Sequence, residues 1–449
     1  MSKTPKGSFA KEHTEIGLEP GDKIALINAR LIDPASGRDE AGGLIIANGK
    51  IADLGPKLRR NAPDGHEVID CGGHVLCPGL VDMWVHSGEP GFEHRETLGG
   101  VSRSAAVGGV TTLVCRPDTD PVIDDMSVLE FVARRARKLG LAKVYPYGAV
   151  TKGLDGMELA EMGLLAEAGA LAFTDGIKPV ADSQILRRAL SYATTFGLMI
   201  MQHAEDVSLA RGGAMNAGET ATRLGLSGIP RQAEVIMVER DIHLARMTGG
   251  RLHFGHLSTG LSIEAVRRAK AEGLAITCDT APPYFALNET SIGDYRTFAK
   301  LSPPLRDEED RQAIVEGLKD GTIDAIASDH APQDEESKRL PFADAAVGGV
   351  GLETLLSITL ELYHNGHMNL IDALKLVTVA PADLLGLNAG RLKIGAPTDL
   401  VLIDPDRAWK IDADRMVSMS KNSPFDGRPV QGQVQRTIVD GRTVYQRDA

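Results

Sequence analysis

Aromatic residues, cysteines and excess basic charge are all scarce in this chain of 449 residues. Phe, Trp and Tyr make up 4% of it, which leaves few side chains for stacking on nucleic-acid bases. The four cysteines show no paired metal-binding spacing, and so few thiols favour a reducing, cytoplasmic location. The net charge of −12 disfavours binding to nucleic acids and to anionic membranes.

Long apolar runs are also missing. No stretch of about 18 apolar residues occurs, so the sequence predicts no membrane-spanning helix. Residues 1–22 lack the apolar core of a signal peptide, and we expect them to form a flexible tail. Hydrophobic residues at 43% and charged residues at 24% are ordinary values for a soluble protein with a large core.

The chain is organised as an α/β region with a β-rich segment on each side. Within residues 75–385, eight short apolar runs alternate with amphipathic stretches, which predicts a (β/α)8 TIM-type barrel. A doubly wound sheet is the alternative, but no Gly-x-Gly-x-x-Gly follows the first strand. Residues 23–74 and 386–449 alternate β-type runs with turns, and each is too short for a robust sheet core. We therefore predict that both chain ends build one small flanking β-sandwich domain.

Polar residues stand at the ends of the predicted barrel strands, where barrel enzymes place their chemistry. Histidines and aspartates in such positions offer nitrogen and oxygen ligands to zinc or a similar divalent ion. A bound metal ion lowers the pKa of a coordinated water toward 7. Asp329 would then act as general base, and later as acid to a leaving nitrogen. The strand-end residues are His86, Asp175, His203, His256, Asp329 and His330.

Each of these residues also has a simpler interpretation. A single strand-end histidine is more often a hydrogen-bonded core or surface residue than a ligand, and Asp329 is a good helix N-cap. The coincidence on strands one, five, six and eight favours at least an ancestral metal site. Trp84 stands two residues before His86, where a histidine on the same strand face could share the metal ion. An indole cannot ligate, so the site lacks one part.

The chain resembles the dihydroorotase family, in its bacterial type I form, over nearly its whole length. The matching stretches include PGLVDMWVHSGEPGFEHRET, MQHAED, HFGHLS, AIASDHAP and NSPFDGRPVQGQVQRTIVDG. The resemblance implies a barrel with a flanking β-sandwich, a zinc centre, and reversible closure of N-carbamoyl-L-aspartate to L-dihydroorotate in pyrimidine synthesis. By position it implies His86, His203 and His256 as metal ligands, and Asp329 as ligand and catalytic base. Asp175 matches the first aspartate of Phe-Ser-Asp-Asp-Gly, while the second falls on Gly176.

Departures from the family pattern concentrate where the family binds its substrate. Gly88 replaces an arginine, Asp118 and Ser302 each replace an asparagine, and Gln333 replaces a histidine. Glycine cannot replace the bidentate contact of an arginine, and Asp118 would repel a substrate carboxylate. Losing one charged anchor typically costs about 2–5 kcal/mol.

Three functions remain open from the sequence. The first is a dihydroorotase-like chain that no longer catalyses and assembles with aspartate carbamoyltransferase, as a homo-oligomer or hetero-oligomer. The second is an active dihydroorotase with one zinc ion held by the remaining ligands. The third is an amidohydrolase for another cyclic amide without the carboxylate, such as a hydantoin. The retained His203, His256 and Asp329 favour the second or third, and the altered substrate positions favour the first or third.

Overall fold

A computed structural model describes residues 7–9 and 23–448 of this chain. Strands and helices alternate through its middle, with β-rich segments at both ends. The strands are β1 (Gly7–Phe9), β2 (Lys23–Asp33), β3 (Arg38–Ala47), β4 (Lys50–Gly55), β5 (Glu67–Asp70), β6 (Val75–Pro78), β7 (Leu80–Val85), β8 (Val110–Cys115), β9 (Lys143–Pro146), β10 (Met199–His203), β11 (Met215–Asn216), β12 (Gly228–Ile229), β13 (Arg251–Gly255), β14 (Ile276–Thr280), β15 (Ala325–Ile326), β16 (Leu400–Lys410), β17 (Pro429–Val439) and β18 (Arg442–Arg447).

The helices lie mostly between the barrel strands and begin and end at residues suited to those places. Asp125 and Asp182 each accept a hydrogen bond from a backbone N–H of the first helical turn, and Gly140 and Gly197 end the same helices in the left-handed conformation. The helices are α1 (Leu98–Gly108), α2 (Met126–Leu139), α3 (Met162–Glu167), α4 (Ser183–Phe196), α5 (Val207–Ala210), α6 (Glu219–Leu224), α7 (Gln232–Thr248), α8 (Gly260–Ala271), α9 (Pro282–Ala286), α10 (Glu308–Lys319), α11 (Glu335–Arg339), α12 (Leu355–His364), α13 (Leu370–Lys375) and α14 (Val379–Leu384).

Parallel strand pairing closes the predicted barrel. Strands β7, β8 and β9 form one run, and β10, β13, β14 and β15 form another. Between the runs, Phe173 makes single parallel bridges to Gly148 and Ile200, so the fourth barrel strand is reduced to one paired residue. A parallel bridge from Val85 to His330 closes the ring. Every residue of β7 and β8 is buried, because parallel strands are covered on both faces.

Both chain ends combine into one flanking sheet domain, as predicted. Nine strands form a single continuous sheet in the order β1-β18-β17-β16-β6-β2-β3-β4, with β5 paired to β2. Two details differ from the sequence-based boundaries. Val75–Pro78 pairs with β16 and β2, so the barrel begins at β7 rather than at residue 75. Gly7–Phe9 of the predicted tail pairs with β18, while residues 1–6 and 10–22 lie outside the described part of the chain.

Within the described ranges, no helix combines the length and the apolar character needed to cross a membrane.

Candidate active site at the barrel mouth

The strand-end residues predicted from the sequence lie at one end of the barrel and are buried. His86 follows β7, His203 ends β10, His256 follows β13 and Asp329 follows β15. All four are less than 8% exposed to solvent. His256 and Asp329 have φ angles of 55° and 49°, a costly conformation for residues other than glycine and one that clusters at functional sites. The barrel mouth therefore has the form of an active site.

Trp84 fills the position two residues before His86. Strand alternation places both side chains on the same face, toward the barrel interior. The indole is fully buried, and its ring meets that of His256 edge-on with a centroid separation of 5.0 Å. Tyr147 lies on another side, with ring centroids 6.3 Å apart. The indole thus occupies the space that a ligating imidazole would need.

Arg116 and Asp118 follow β8 and form an ion pair at the mouth, in which Arg116 is buried and Asp118 is partly buried. The Nε and Nη2 atoms of Arg116 donate to the two carboxylate oxygens of Asp118 at 3.1 and 3.0 Å. The guanidinium carbon stands 5.6 Å from the ring centroid of Trp84, a cation–π distance. Burial alone would raise the pKa of Asp118, but the charges of Arg116 and His86 outweigh it and hold that pKa well below its usual range. Asp118 is therefore an anion, with His86 Nδ1 3.6 Å from it.

His256 lies between two carboxylates. Its Nδ1 is 2.9 Å from Asp279 Oδ1, and its backbone N–H donates to the same oxygen at 2.7 Å. On its other side, Nε2 is 3.7 Å from Asp329 Oδ1. Burial lowers the pKa of His256, but the charges of Asp279 and Asp329 outweigh this and raise it overall. Burial raises the pKa of Asp329, which favours its neutral form relative to an exposed aspartate.

Asp279 was not singled out by the sequence analysis, although an aspartate near the end of an apolar barrel strand is the same kind of signal that pointed to the other site residues. It is the second-last residue of β14, the seventh barrel strand, inside the run AITCDTAP. Besides His256, it accepts a contact from Nε2 of His253 at 3.0 Å. Its carboxylate orients the His256 ring, as carboxylates commonly orient active-site histidines.

His203 is held as a neutral imidazole. Its Nε2 shares a hydrogen bond of 3.2 Å with the hydroxyl of Ser302. Burial lowers the pKa of His203 to about 3, with further lowering from the charges of His256 and Arg116. Its Nδ1 is buried and makes no hydrogen bond within residues 7–9 and 23–448.

Asp175 is engaged in local structure. Its Oδ1 accepts hydrogen bonds from the backbone N–H groups of Val150 and Thr151, both at 2.9 Å, and its Oδ2 accepts one from the Thr151 hydroxyl. Both carboxylate oxygens therefore hold the loop after β9. Asp175 could bind a metal ion only by giving up these bonds.

The donor set does not fit a divalent metal ion in this arrangement. Among the described residues, no group of three or more His, Cys, Asp and Glu side chains lies close enough to hold one. The positive charge of Arg116 is near enough to lower the pKa of His203, His256, Asp329 and His330. A metal ion would have to share the mouth with that charge. The assignment of His86, Asp175, His203, His256 and Asp329 as zinc ligands stays a prediction.

Comparison with known proteins gives the family. A family described as "Dihydro-orotase-like" matches residues 73–262. A dihydroorotase of Anaplasma phagocytophilum is 47% identical over 431 residues, covering 95% of this chain and 96% of that protein. The chain belongs to the dihydroorotase family. A dihydroorotase of Wolbachia is 46% identical, covering 96% of this chain and 97% of its own length.

Solved structures confirm the barrel and flanking sheet. L-hydantoinase from Arthrobacter aurescens superposes with a TM-score of 0.85 at 26% identity, covering 96% of this chain and 97% of that one. Dihydropyrimidinase from Brevibacillus agri superposes with a TM-score of 0.81 at 22% identity, covering 94% and 95%. The second likeness shows the fold alone.

The altered family positions present no unpaired cation to a substrate. Gly88 has a φ of +71°, and a Cβ there would lie 2.2 Å from the carbonyl oxygen of Glu96, so this backbone excludes a side chain. The hydroxyl of Ser302 shares its hydrogen bond with Nε2 of His203. Gln333 donates from Nε2 to the Val347 carbonyl at 2.8 Å. The backbone at Gly88, and not only the missing side chain, therefore rules out an arginine at this position.

Proposed function

We propose that this chain serves de novo pyrimidine biosynthesis as a dihydroorotase-family protein that does not itself turn over dihydroorotate and instead assembles with aspartate carbamoyltransferase. Membership of the dihydroorotase family supports the pathway. The observation that carries the loss of turnover is the partly buried Arg116–Asp118 pair, which lies at the mouth where the substrate would enter.

The chemistry of the substrate explains why this pair matters. N-carbamoyl-L-aspartate carries two carboxylates, and dihydroorotate retains one, so either needs a cation to hold it. Arg116 is already bonded to Asp118, and Nε of Arg95 lies 3.8 Å from Asp334. The Asp118 carboxylate also places negative charge beside any incoming carboxylate. Each anchor lost at about 2–5 kcal/mol slows the reaction by roughly 30-fold or more.

Exposed apolar side chains on the barrel wall support a partner-binding role. Leu164 on α3 is 47% exposed and Phe196 on α4 is 52% exposed. They lie on packed elements, since Gly163 is against the Phe196 ring. Met157, in the loop before α3, is 73% exposed. Leu164 and Phe196 lie on helices that contact each other, and exposed apolar residues that form a patch commonly mark protein contacts. We infer that the partner covers this wall, made of Met157, Leu164 and Phe196.

The test uses the purified full-length chain with added zinc. We expect no turnover of dihydroorotate or N-carbamoyl-L-aspartate by the chain alone, and co-elution with aspartate carbamoyltransferase in gel filtration. Phe196→Glu should abolish co-elution, whereas Met247→Glu, at a 68% exposed position on α7, should leave it intact. Turnover by the lone chain at about 1 s⁻¹ or faster would contradict the loss of catalysis. Failure to co-elute would contradict the assembly.

Hydrolysis of another cyclic amide is the second candidate. The L-hydantoinase of Arthrobacter aurescens shares the fold at 26% identity, and a hydantoin without a carboxylate would not be repelled by Asp118. The same assay with hydantoin as substrate separates this function from the first. Turnover of hydantoin, with none of dihydroorotate, would select it. The relatives at 46–47% identity are named dihydroorotases, and turnover of dihydroorotate by the lone chain would instead support an active dihydroorotase.

A further inference from the structure

We propose that the guanidinium of Arg116, stacked over Trp84 and paired with Asp118, is the permanent cation of this barrel mouth, so that the folded chain needs and holds no divalent metal ion there. This inference does not rest on the proposed function. A chain without turnover could still hold zinc, and a metal-free chain could still hydrolyse an amide.

The geometry fixes the guanidinium in place from two directions. Asp118 accepts two of its hydrogen bonds, and such a bidentate, charge-assisted pair orients the guanidinium. The indole of Trp84 offers a flat face at 5.6 Å, and a desolvated cation–π contact of this kind is attractive. The remaining nitrogen, Nη1, is buried without a hydrogen bond among the described residues. Trp84 thus removes a metal donor and supplies a support for the cation.

Charge balance at the mouth gives the second argument. Buried carboxylates are stable only when a positive charge compensates them or when they take up a proton. Arg116 compensates Asp118, with Nη2 3.0 Å from a carboxylate oxygen. Asp279 lies 2.9 Å and Asp329 lies 3.7 Å from the ring nitrogens of His256. The guanidinium already supplies a fixed positive charge at this mouth, and a divalent cation placed there would be repelled by it.

The distinguishing prediction concerns which substitutions restore metal binding. Trp84→His returns the missing donor but leaves the guanidinium, so we expect no gain in zinc binding. Trp84→His combined with Arg116→Met and Asp118→Asn returns the donor and removes both charges. We expect this triple variant to bind zinc at least about a hundredfold more tightly than Trp84→His, because a neighbouring positive charge no longer repels the ion.

The experiment measures zinc per chain by mass spectrometry after incubation with zinc and gel filtration. We expect below about 0.1 zinc ion per chain for the wild type and about one for the triple variant. Trp84→His with Arg95→Met is the matched control, since it removes a cation that faces Asp334 and pairs with neither Asp118 nor Trp84. It should behave like Trp84→His alone. Circular dichroism checks that each variant is folded.

Two results would overturn the proposal. One is a wild-type chain that retains about one zinc ion after this treatment or whose melting temperature falls when a chelator is added. These two measurements use the wild-type chain, so they test the proposal even if the triple variant does not fold. The other is stoichiometric zinc binding by Trp84→His with Arg116 still in place. Neither result depends on turnover of dihydroorotate.

Discussion

Removing the Arg116 guanidinium should destabilise the fold mainly by leaving Asp118 unpaired. In Arg116→Met, the carboxylate of Asp118 loses both of its hydrogen bonds from the guanidinium, in a site where its side chain is 17% exposed. Asp118→Asn in the same chain replaces that anion with a neutral amide. The single variant should therefore be less stable than the double variant, although the double variant carries one more substitution.

The expected magnitudes follow from the burial of the pair. Breaking a buried ion pair by removing one partner costs about 3–5 kcal/mol, and the lost contact with Trp84 adds up to about 1 kcal/mol. Removing both charges leaves chiefly the packing and cation–π losses, for a cost of about 1–2 kcal/mol. The double variant should therefore be about 2–4 kcal/mol more stable than Arg116→Met alone, and the coupling in a double-mutant cycle exceeds this difference by the cost of Asp118→Asn alone.

Urea unfolding of the wild type, both single variants and the double variant measures this coupling directly. Arg95→Met is the control, because Arg95 faces Asp334 at 3.8 Å in a more exposed setting, and its loss should cost about 0–1 kcal/mol. Additive costs, with the double variant as unstable as the sum of the two single variants, would refute the view that the pair is a coupled unit.

Two further substitutions test separate parts of the structure. Gly88→Arg restores the family's arginine but should lower the free energy of unfolding in urea by about 2–4 kcal/mol and gain no turnover. The reason is that φ at Gly88 is +71° and a Cβ there meets the Glu96 carbonyl. The control is Gly37→Arg, which has a φ of +72° but open space around it and should cost only about 1 kcal/mol. Burial raises the pKa of Glu353 to about 7 from 4.5, so wild-type stability should fall relative to Glu353→Gln as pH rises from 4.5 to 7, by about 3 kcal/mol. Equal losses of unfolding free energy in Gly88→Arg and Gly37→Arg would contradict the first prediction. A stability difference between the wild type and Glu353→Gln that does not change with pH would contradict the second.

The barrel was predictable because its signal is local. Alternating apolar runs and amphipathic stretches are visible along the chain, and the ring of parallel pairs follows them. The boundary at residue 75 was wrong because Val75–Pro78 is apolar and buried like a barrel strand. Burial alone does not say whether a strand pairs with β16 of the flanking sheet or with the barrel.

The site was predictable only as a set of strand ends. His86, His203, His256 and Asp329 meet at one mouth because the carboxyl ends of barrel strands always do. The hydrogen bonds of Asp175 depend on where the loop at 150–151 lies, which is a matter of tertiary structure. The placement of Arg116 over Trp84, 32 positions earlier in the chain, likewise has no local signal.

The pairing of Arg116 with Asp118 in place of a substrate anchor is the central claim, and turnover tests it most directly. The measurement is the rate of dihydroorotate hydrolysis by the purified full-length chain, supplied with zinc and without any partner protein. We expect no rate above that of buffer with zinc. A rate of about 1 s⁻¹ or faster per chain would contradict it.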